Sequence, residues 1–499
     1  MGLKSLLAKP FADYIARKVY AASRNAVDRQ QKIMLSLVRQ ASRTKFGRDH
    51  QFSLINDYAA FKKNVPIRDY EGLRFYIDKM VAGESDVLWP GKPLYLAKTS
   101  GTTSGVKYIP LTKESVPSHI NAARNALLMY VHETRNTDFI NGKMIFLQGS
   151  PELFEKNGIN TGRLSGIVYH FVPGYLLRNR MPKYETNCIE DWETKVLAIA
   201  NETLNENMSL ISGIPPWVLM YFEKLTELTG KQTVLEVFPN FSLFVYGGVN
   251  YEPYRAKIES IVGRKIPSIE TYPASEGFIA FQDSQHAEGL LLNVDAGIFF
   301  EFIPASVVLD ENPTRIMLSD VALGVNYAII INNNAGLWGY NIGDTIKFVS
   351  LQPHRIVVTG RIKHFISAFG EHVIGEEVEY ALLQAAAAEN IAIAEFTVAP
   401  QVNPDSGLPY HEWFVEFGTQ PNDMKAFALK VDDFLQQKNI YYKDLIEGKI
   451  LRPLEITLIQ PGGFRSFMKA KGKLGGQNKV ARLSNDRLIA DELKEWTVC

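Results

Sequence analysis

The chain has 499 residues, which is more than one compact core usually holds, so two or more domains are expected. Hydrophobic residues make up 46% and charged residues 22%, as in an ordinary globular protein. Lys plus Arg and Asp plus Glu both number 54, so the formal net charge is zero. Because no global positive field results, nucleic acid is not expected as a partner.

The cysteines and the N-terminus indicate the cellular location. The two cysteines, Cys188 and Cys499, cannot form a metal cluster, and no Cys-x-x-Cys pair occurs. The N-terminal residues 1–19 are spaced like a helix face and lack the continuous apolar core of a secretory signal. We therefore expect a reducing, cytoplasmic location. No run of about 18 apolar residues occurs, so no membrane span is expected.

The N-terminal region is predicted to be helical. Apolar residues such as Leu6 and Phe11 recur near helical spacing through residues 1–80. Residues 88–93 contain two prolines and a glycine and are predicted to be a loop. Tyr95–Ala97 is predicted to be a short strand that leads into a glycine turn.

Farther along the chain, short apolar runs bounded by turn residues alternate with longer amphipathic stretches. Residues 192–204 and 216–228 are amphipathic stretches of helical length. This alternation predicts an α/β body with a largely buried sheet. The apolar runs that we expect to be strands are 144–147, 243–246, 327–331 and 355–358.

The character of the sequence changes after Gly360, and a second domain is predicted there. The remaining part mixes helical and strand patterns, so it is expected to be a smaller α+β domain. We place a large α/β domain at residues 1–359 and the smaller domain at 360–499. Its predicted elements are helices at 376–388 and 426–437 and strands at 412–417 and 454–459.

A run of hydroxyls and glycines that ends in a lysine is the strongest local signal. Glycines let the backbone approach a phosphate, hydroxyls donate to it, and a lysine offsets its charge. The run does not match the Walker pattern, because Val106 stands where the second glycine is needed. A flexible connection is the alternative interpretation. The residues of this run are Thr99, Ser100, Gly101, Thr102, Thr103, Ser104 and Lys107.

A second motif is Thr271-Tyr-Pro-Ala-Ser-Glu-Gly277. The ring of Tyr272 can stack on adenine, Ser275 can donate to a phosphate, and Glu276 can hold Mg²⁺ beside that phosphate. The alternative is a corner between a strand and a loop, with a buried tyrosine and an exposed glutamate.

Asp344 ends a glycine-rich stretch, Gly336-Leu-Trp-Gly-Tyr-Asn-Ile-Gly-Asp344, which is predicted to form a tight turn. A carboxylate in that place can accept hydrogen bonds from both hydroxyls of a ribose. The alternative is that Asp344 only caps the backbone of the turn. Gly360 and Arg361, which precede the second domain, are typical of a hinge.

Two further charged segments belong to the second domain. Glu376 and Glu377 open a predicted helix, and capping of its N-terminus explains them without any chemistry. The basic, glycine-rich segment 469–482 is able to form a loop that closes over a bound adenylate. A solvated basic loop or a weak nucleic-acid patch are the alternatives for that segment.

The five motifs, in this order, resemble those of the adenylate-forming superfamily of acyl-CoA synthetases, peptide-synthetase adenylation domains and luciferases. Within it the chain is most similar to the Gretchen Hagen family, the auxin-responsive acyl-acid amido synthetases and their bacterial relatives. Segments Val65–Asp78 and Ala335–Lys347 also look like that family. The resemblance covers most of the chain. It implies a large N-terminal α/β domain and a C-terminal lid that rotates between half-reactions.

The resemblance also implies roles for single residues, with ATP and Mg²⁺ as cofactors. Residues 99–107 would be the phosphate loop, in which Lys107 is catalytic. Tyr272 would flank the adenine, and Ser275 would touch the α-phosphate. Glu276 would be a catalytic residue that binds the metal.

The remaining implied roles fall near and beyond the domain boundary. Asp344 would hold the ribose, and Arg361 would sit at the hinge beside the cofactor. Lys479 lies about where the superfamily keeps its late catalytic lysine, although its surroundings differ from the usual ones. Many plant members have arginines where this chain has Gly339 and Asn341.

The implied reaction is ATP-dependent activation of a small carboxylic acid as an acyl-AMP, followed by acyl transfer to an amine. An amino acid is the expected acceptor, and the product is an amide. The first alternative is an acyl-CoA ligase with a thiol acceptor. The second is a catalytically inactive nucleotide-binding sensor or scaffold. Lys107, Glu276, Asp344 and the late lysine argue against an inactive protein.

Overall fold

The computed structural model describes twelve parts of the chain. Residues 101–104 of the hydroxyl run, and Cys499, lie outside the described residues. The described residues are 3–100, 106–171, 179–248, 250–308, 310, 312–362, 365–366, 371, 373–447, 450–474, 479–484 and 486–498.

The chain divides into two compact units. The larger unit is Met1–Val249 with Ile261–Val357, and the smaller is Asn250–Ser260 with Val358–Cys499. A large N-terminal part and a smaller C-terminal part, both mixing helices and strands, agree with the predicted fold class. The sequence did not indicate that residues 250–260 group with the smaller unit.

The N-terminal region is helical, as predicted. The first two helices are long, and three shorter ones follow, each started by a side chain that accepts a backbone N–H hydrogen bond. Thr44 accepts from Gly47, and Asp57 and Asp69 do the same at the next two helices. These helices are α1 Leu3–Arg24, α2 Ala26–Ala41, α3 Lys45–Asp49, α4 Tyr58–Asn64 and α5 Tyr70–Val81.

The strands of the larger unit include all four that the apolar runs predicted, each longer than its run or shifted by one residue. They are β1 Tyr95–Ser100, β2 Val106–Leu111, β3 Lys143–Phe146, β4 Phe154–Lys156, β5 Ile159–Gly162, β6 Arg180–Met181, β7 Met208–Ser212, β8 Leu243–Gly247, β9 Ser268–Ala274, β10 Gly277–Phe281, β11 Leu290–Leu292, β12 Ile298–Pro304, β13 Asn326–Asn333, β14 Tyr340–Leu351 and β15 His354–Arg361.

Eleven of these strands form one sheet, in the order β12-β13-β14-β15-β11-β10-β9-β8-β7-β3-β6. The half from β6 to β9 is parallel, and its strands are connected through helices. The pairs from β9 through β10 to β11, and β12 with β13 and β14, are antiparallel. The strands read as nearly continuous apolar runs because both faces are covered: β12 is buried along six of its seven residues.

The helices that accompany this sheet include the two predicted at 192–204 and 216–228. None of the described helices is long and apolar enough to cross a membrane. The helices that accompany the sheet are α6 Val116–Thr134, α7 Leu164–Tyr169, α8 Tyr184–Asn187, α9 Trp192–Thr203, α10 Pro215–Thr229 and α11 Val234–Val237. The next helix, α12 Glu252–Val262, lies mostly within the residues that group with the smaller unit.

A separate four-stranded sheet has the order β2-β1-β5-β4. Strands β1 and β2 are antiparallel, with Thr99 opposite Lys107, so the hydroxyl run connects the two strands of a hairpin. Strand β5 runs parallel to β1, with Ala97 opposite Gly162. Residues that follow β5 therefore lie beside the end of β1.

The smaller unit is built on the sheet β18-β19-β20, against which its helices pack. The helices and strands predicted for this part of the chain are confirmed. Helix α13 begins as predicted, because the Glu377 carboxylate accepts from the backbone N–H of Ile374 at 3.0 Å. The elements are β16 Phe365–Ile366, β17 Val373–Ile374, α13 Gly375–Glu389, β18 Ile393–Gln401, β19 Tyr410–Phe417, α14 Met424–Lys438, α15 Ile440–Glu447, β20 Glu455–Ile459, α16 Gly463–Ala470 and α17 Leu488–Leu493.

Candidate active site

The centre of the candidate site is a hydrogen bond between Tyr272 and Asp344. The Tyr272 hydroxyl donates to Oδ2 of Asp344 at 2.6 Å, and the two residues are only 8% and 9% exposed. Three strands lie between β9 and β14 in the sheet order, so this bond bridges distant parts of the sheet. The structure thus brings together the second and third sequence motifs.

Asp344 reaches this position through a bulge in β14. The pairing with β13 shifts register so that Ile342, Gly343 and Asp344 oppose the single residue Ile329. Gly343 has a φ of +85°, and its N–H donates to Oδ1 of Asn341 at 2.9 Å. The glycine-rich stretch forms the turn between β13 and β14, and Asp344 follows that turn as expected. It lies inside a strand, and its carboxylate accepts from Tyr272.

The glycine-rich stretch before β14 is held in place by residues 65–78, the other segment that is similar to the Gretchen Hagen family. Gly339 has a φ of +55°, and a Cβ there would lie 2.2 Å from the carbonyl oxygen of Pro66. The Gly339 carbonyl accepts from the N–H of Arg68 at 2.8 Å, and the Arg68 carbonyl accepts from Asn341 at 2.8 Å. The buried indole of Trp338 donates to the carbonyl of Leu88 at 3.0 Å. Residues 65–78 and 335–347 therefore form one structural unit.

Two of three consecutive asparagines, none of which was predicted from the sequence, hold these motifs together. Asn332 accepts from the N–H of Gly339 at 2.6 Å. Asn333 accepts from the N–H groups of Ala335 and Leu337, and its amide donates to the Glu276 carbonyl at 2.7 Å. The run of asparagines at the end of an apolar strand was the available signal, because such side chains bond to nearby backbone.

Ser275 and Glu276 form the two-residue turn between β9 and β10. Both are half-buried, and Tyr272 lies in the strand just before them. The tyrosine is buried as in the alternative that we gave, whereas the glutamate is half-buried and not exposed. The contact from Asn333 nevertheless places the turn next to the chain that leads to Asp344.

The hydroxyl run lies partly outside the described residues. Gly101, Thr102, Thr103 and Ser104 lie outside the described residues, and only the backbone of Ser100 is described. Thr99 and Lys107 face each other in the β1–β2 ladder. The Lys107 ammonium lies 5.5 Å from the ring centroid of Tyr70, whose hydroxyl accepts from the N–H of Tyr108 at 2.9 Å. Tyr70 thus anchors the second strand of the hairpin.

The remaining predicted residues belong to the smaller unit. Arg361 ends β15 and is exposed, and Gly360 before it has a φ of +153° that favours glycine. Lys479 is exposed and precedes Val480, which packs on an apolar cluster with Phe414 and Phe464.

The basic segment that contains Lys479 also has a structural part. Arg482 pairs with Glu379 at 3.3 Å and with Glu395, and it contacts the hydroxyl of Tyr254 at 3.2 Å. The interpretation of the whole segment as a solvated basic loop is therefore wrong for Arg482. His411 in β19 is fully buried and bonds to Glu371 at 2.9 Å.

Sequence models of the GH3 family, which is the Gretchen Hagen family, match three parts of the chain. The GH3 family N-terminal domain matches residues 15–184, the central domain 291–361 and the C-terminal domain 376–488. Together these matches cover more than two thirds of the chain.

Several curated relatives are plant amido synthetases. The chain is 24% identical over 360 residues to the jasmonoyl–L-amino acid synthetase JAR4 of Nicotiana attenuata. That match covers 58% of this chain and 61% of the relative's length. The indole-3-acetic acid-amido synthetase GH3.15 of Arabidopsis thaliana is 24% identical over 532 residues, with 85% of both chains covered.

Solved structures share the fold. AtGH3.15 acyl acid amido synthetase in complex with 2,4-DB superposes with a TM-score of 0.79 at 17% identity, covering 98% of this chain and 96% of that one. A 2-hydroxyisobutyryl-CoA ligase in the postadenylation state has a TM-score of 0.58 at 12% identity, with 95% and 92% covered. The fold is thus that of the adenylate-forming ligases. The chain belongs to the GH3 family.

Proposed function

We propose that this chain is an ATP-dependent acyl acid amido synthetase. It would activate a small carboxylic acid as an acyl-AMP and transfer the acyl group to an amino acid. The observation that carries the proposal is the Tyr272–Asp344 hydrogen bond, because it joins two motifs that a nucleotide site needs at one place. Family membership and the names of the relatives support the reaction class.

The proposed nucleotide site combines three pieces of the larger unit. Asp344 would accept the ribose hydroxyls, and Tyr272, which already holds that carboxylate, would flank the adenine. Ser275 would donate to the α-phosphate from the β9–β10 turn. The hydroxyl run 99–104, with Lys107 at its end, would hold the phosphates through N–H and hydroxyl donors.

The residues also fit a magnesium ion. No group of three or more His, Cys, Asp or Glu residues able to hold a metal occurs within the described parts of the chain. Mg²⁺ at a nucleotide needs no such group, because it usually takes one or two carboxylates plus phosphate oxygens and water. Glu276 would be that carboxylate, since it lies in the turn beside Ser275. When bound, Mg²⁺ offsets the charge of the departing pyrophosphate.

The proposed chemistry has two steps. In the first, an oxygen of the substrate carboxylate attacks the α-phosphorus of ATP, the bond to the β-phosphate breaks, and pyrophosphate leaves. Lys107 and the N–H donors of the hydroxyl run would stabilise the charge that develops there. In the second, the neutral amine attacks the acyl carbon, AMP leaves with the bonding electrons, and the nitrogen loses a proton.

The smaller unit would act as a lid. We propose that the domain from 360 to 499 rotates about Gly360 and Arg361, and that Lys479 reaches the adenylate in one half-reaction. Enclosure is needed because an acyl-AMP reacts with water. Lys479→Ala should slow acyl-AMP formation by about 10²–10³ and spare transfer from supplied acyl-AMP. Equal loss or no loss in both half-reactions would remove this role from Lys479.

A thiol acceptor is the competing possibility, since the fold is shared with a CoA ligase. The two plant relatives named above are amido synthetases, which favours the amine. Supplying amino acids and CoA in separate reactions with the same activated acid decides between them. The cytoplasmic location expected from the sequence remains part of this proposal.

The function is tested by ATP–pyrophosphate exchange against a panel of carboxylic acids. Wild-type protein should exchange with at least one acid, and Glu276→Ala should lower that rate by about 10²–10³ while the fold is retained. Glu288→Ala is the matched control, because Glu288 is exposed elsewhere in the larger unit. Exchange by Glu276→Ala at the rate of the control would refute the metal role. No exchange with any acid would favour the inactive sensor.

A further inference from the structure

Three cations of the larger unit contact the same stretch of chain, residues 146–149, and have no carboxylate partner among the described residues. They are Arg163, directly after β5, Arg180 in β6, and Lys195 in α9. No Asp or Glu of the described residues forms a salt bridge with any of the three. Charged side chains are rarely buried unless they are paired, so an unpaired set calls for an explanation.

Arg180 is 9% exposed and has no polar partner for most of its guanidinium. Its guanidinium carbon lies 3.9 Å from the ring centroid of Tyr169 and 5.0 Å from that of Phe146. Nε and Nη1 are buried without a hydrogen-bond partner. Burial lowers the pKa of Arg180 to about 10, so it still carries its charge at neutral pH. The aromatic faces hold the ion in place and leave its N–H fork unused.

Lys195 is 2% exposed and donates to two carbonyls, those of Gln148 at 3.0 Å and Asn187 at 2.5 Å. Burial and the charge of Arg163 lower the pKa of Lys195 to about 8. Gln148 follows β3, the strand that contains Phe146, so Lys195 and Arg180 contact the same stretch of chain.

Arg163 occupies a space that a glycine leaves open. A Cβ on Gly149 would lie 2.6 Å from Cδ and 3.0 Å from Nη1 of Arg163. Glu152, which is exposed, accepts from the Ser150 hydroxyl at 3.3 Å. The chain therefore accommodates a third cation where a small side chain would exclude it.

Further hydrogen-bonding groups of this region are buried and unused. The Nε2 of Gln148, the Nε1 of Trp192 and the hydroxyl of Ser165 have no partner, and neither has the side-chain amide of Asn187. Lys195 contacts the backbone carbonyls of Gln148 and Asn187, and Trp192 begins the helix that carries Lys195. Several donors thus accompany the cations, as a ligand with anionic oxygens requires.

The position of Arg163 links this cluster to the proposed nucleotide site. It follows β5, whose parallel pairing with β1 puts Ala97 opposite Gly162. Strand β1 continues through Thr99 into the hydroxyl run. Arg163 therefore lies beside the end of β1, the strand from which the proposed phosphate loop begins.

We propose that Arg163, Arg180 and Lys195 form a binding site for the carboxylate of a small-molecule substrate. The planar fork of Arg180 suits the two oxygens of a carboxylate, and the ammonium of Lys195 adds charge. This carboxylate is distinct from the one that is activated, which must reach the α-phosphate. It belongs either to the amino-acid acceptor or to a second carboxylate of the acyl acid. The role as substrate site rests on the proposed function, whereas carboxylate binding itself does not.

The test compares probes that differ only in this group. Binding of L-alanine and L-alaninamide, and of adipate and hexanoate, is measured by titration calorimetry on wild-type protein. In at least one pair the probe with the extra carboxylate should bind 10-fold or more tightly, the scale of a charged hydrogen bond. Arg180→Met and Lys195→Met should each abolish that preference, and Arg180→Lys should restore part of it. Lys231→Met, at an exposed residue after α10, is the control.

The pair that shows the preference identifies the source. A preference for L-alanine assigns the site to the acceptor, and one for adipate assigns it to a dicarboxylic acid. Equal affinity within both pairs, or a preference that survives both methionine variants, would overturn the proposal. So would inorganic phosphate that competes more strongly than either carboxylate. Because binding needs no turnover, the result stands apart from the exchange assay that tests the proposed function.

Discussion

Two regions of the larger unit bury charged side chains in opposite ways. Arg315 and Glu301 are 3% and 0% exposed, and Nε of Arg315 lies 3.1 Å from Oε1 of Glu301, an ion pair without hydrogen-bond geometry. Arg315 also donates to the carbonyls of Lys62 and Val65, and Asn332 donates to Glu301 at 2.9 Å. Arg180 and Lys195 are as deeply buried but face aromatic rings and carbonyls.

The difference indicates a structural role for the Arg315–Glu301 region and is consistent with the binding role proposed for Arg180 and Lys195. The Arg315–Glu301 pair ties the loop after α4 to strand β12, and its charges cancel within the fold. The stability of the fold depends on such a pair, because removal of one partner leaves the other charge buried without compensation. The cations near β6 contact only carbonyls and aromatic rings, so the proposed carboxylate site predicts that they weaken the fold until an anion binds. We therefore expect opposite responses to the same kind of substitution.

The largest effect is expected in the neutralised region. Arg315→Met should lower the free energy of unfolding by about 3–5 kcal/mol, because Glu301 would be left charged and unpaired in the core. Burial already raises the pKa of Glu301, and Arg315 opposes that shift. Urea unfolding at pH 7 measures the change. A loss below about 1 kcal/mol would show that the pair does not support the core.

The second effect is a pH dependence carried by Lys195. Its folded-state pKa of about 8 is below the ordinary 10.5, so the folded state loses this proton first as the pH rises. Between these values the unfolded state binds more protons, and stability from this group rises with pH, by about 3 kcal/mol in all. Below pH 8 the buried charge destabilises the fold in full.

A comparison of wild type with Lys195→Met separates the contribution of Lys195 to the pH dependence of stability from the contributions of other titrating groups. Urea unfolding at pH 7 should show the methionine variant to be relatively more stable, and that advantage should shrink at pH 10. An advantage that is the same at both values would mean that Lys195 is not titrated in this range.

A smaller effect is expected at the candidate nucleotide site. Tyr272→Phe removes the hydrogen bond to Asp344 and should lower stability by about 1.5–3 kcal/mol, the scale for a charged acceptor. Tyr221→Phe is the matched control, since that buried hydroxyl contacts the neutral Thr203 at 2.7 Å and its loss should cost about 1 kcal/mol. If the two variants lost equal stability, Asp344 would not act as a buried carboxylate.

The smallest effect on the free energy of unfolding is expected at Arg180. Arg180→Met should leave the free energy of unfolding within about 1 kcal/mol of wild type, because an unpaired buried charge is replaced by an apolar side chain. Thermal or urea unfolding in buffer without added carboxylates is the measurement. A loss above about 2 kcal/mol would place Arg180 in the same structural class as Arg315.

Sequence patterns predicted the parts of this molecule that depend on local periodicity. Helical spacing found the N-terminal helices and α9, α10, α13 and α14, and apolar runs found β3, β8, β13 and β15. The motif order led to the GH3 family. The roles of the single site residues stay predictions, although the structure brings Tyr272 and Asp344 together.

The rest depends on contacts between distant residues. The bulge that moves Asp344 into a strand follows from its register with β13, which no local pattern reveals. Asn333 was missed because its partner, Glu276, is far away in the sequence. Arg180 and Lys195 look like ordinary surface charges in the sequence, since burial of a single cation leaves no local signal.

The acyl-AMP intermediate is tested most directly by following an oxygen isotope from the carboxylic acid into the nucleotide product. A carboxylic acid that supports exchange is labelled with ¹⁸O in its carboxyl group and incubated with ATP, an amino acid and the wild-type protein, and the nucleotide product is weighed by mass spectrometry. The proposed chemistry predicts AMP that carries one ¹⁸O, because the bridging oxygen stays on phosphorus when the amine displaces it. Unlabelled AMP, or ADP with label in inorganic phosphate, would contradict an acyl-AMP intermediate.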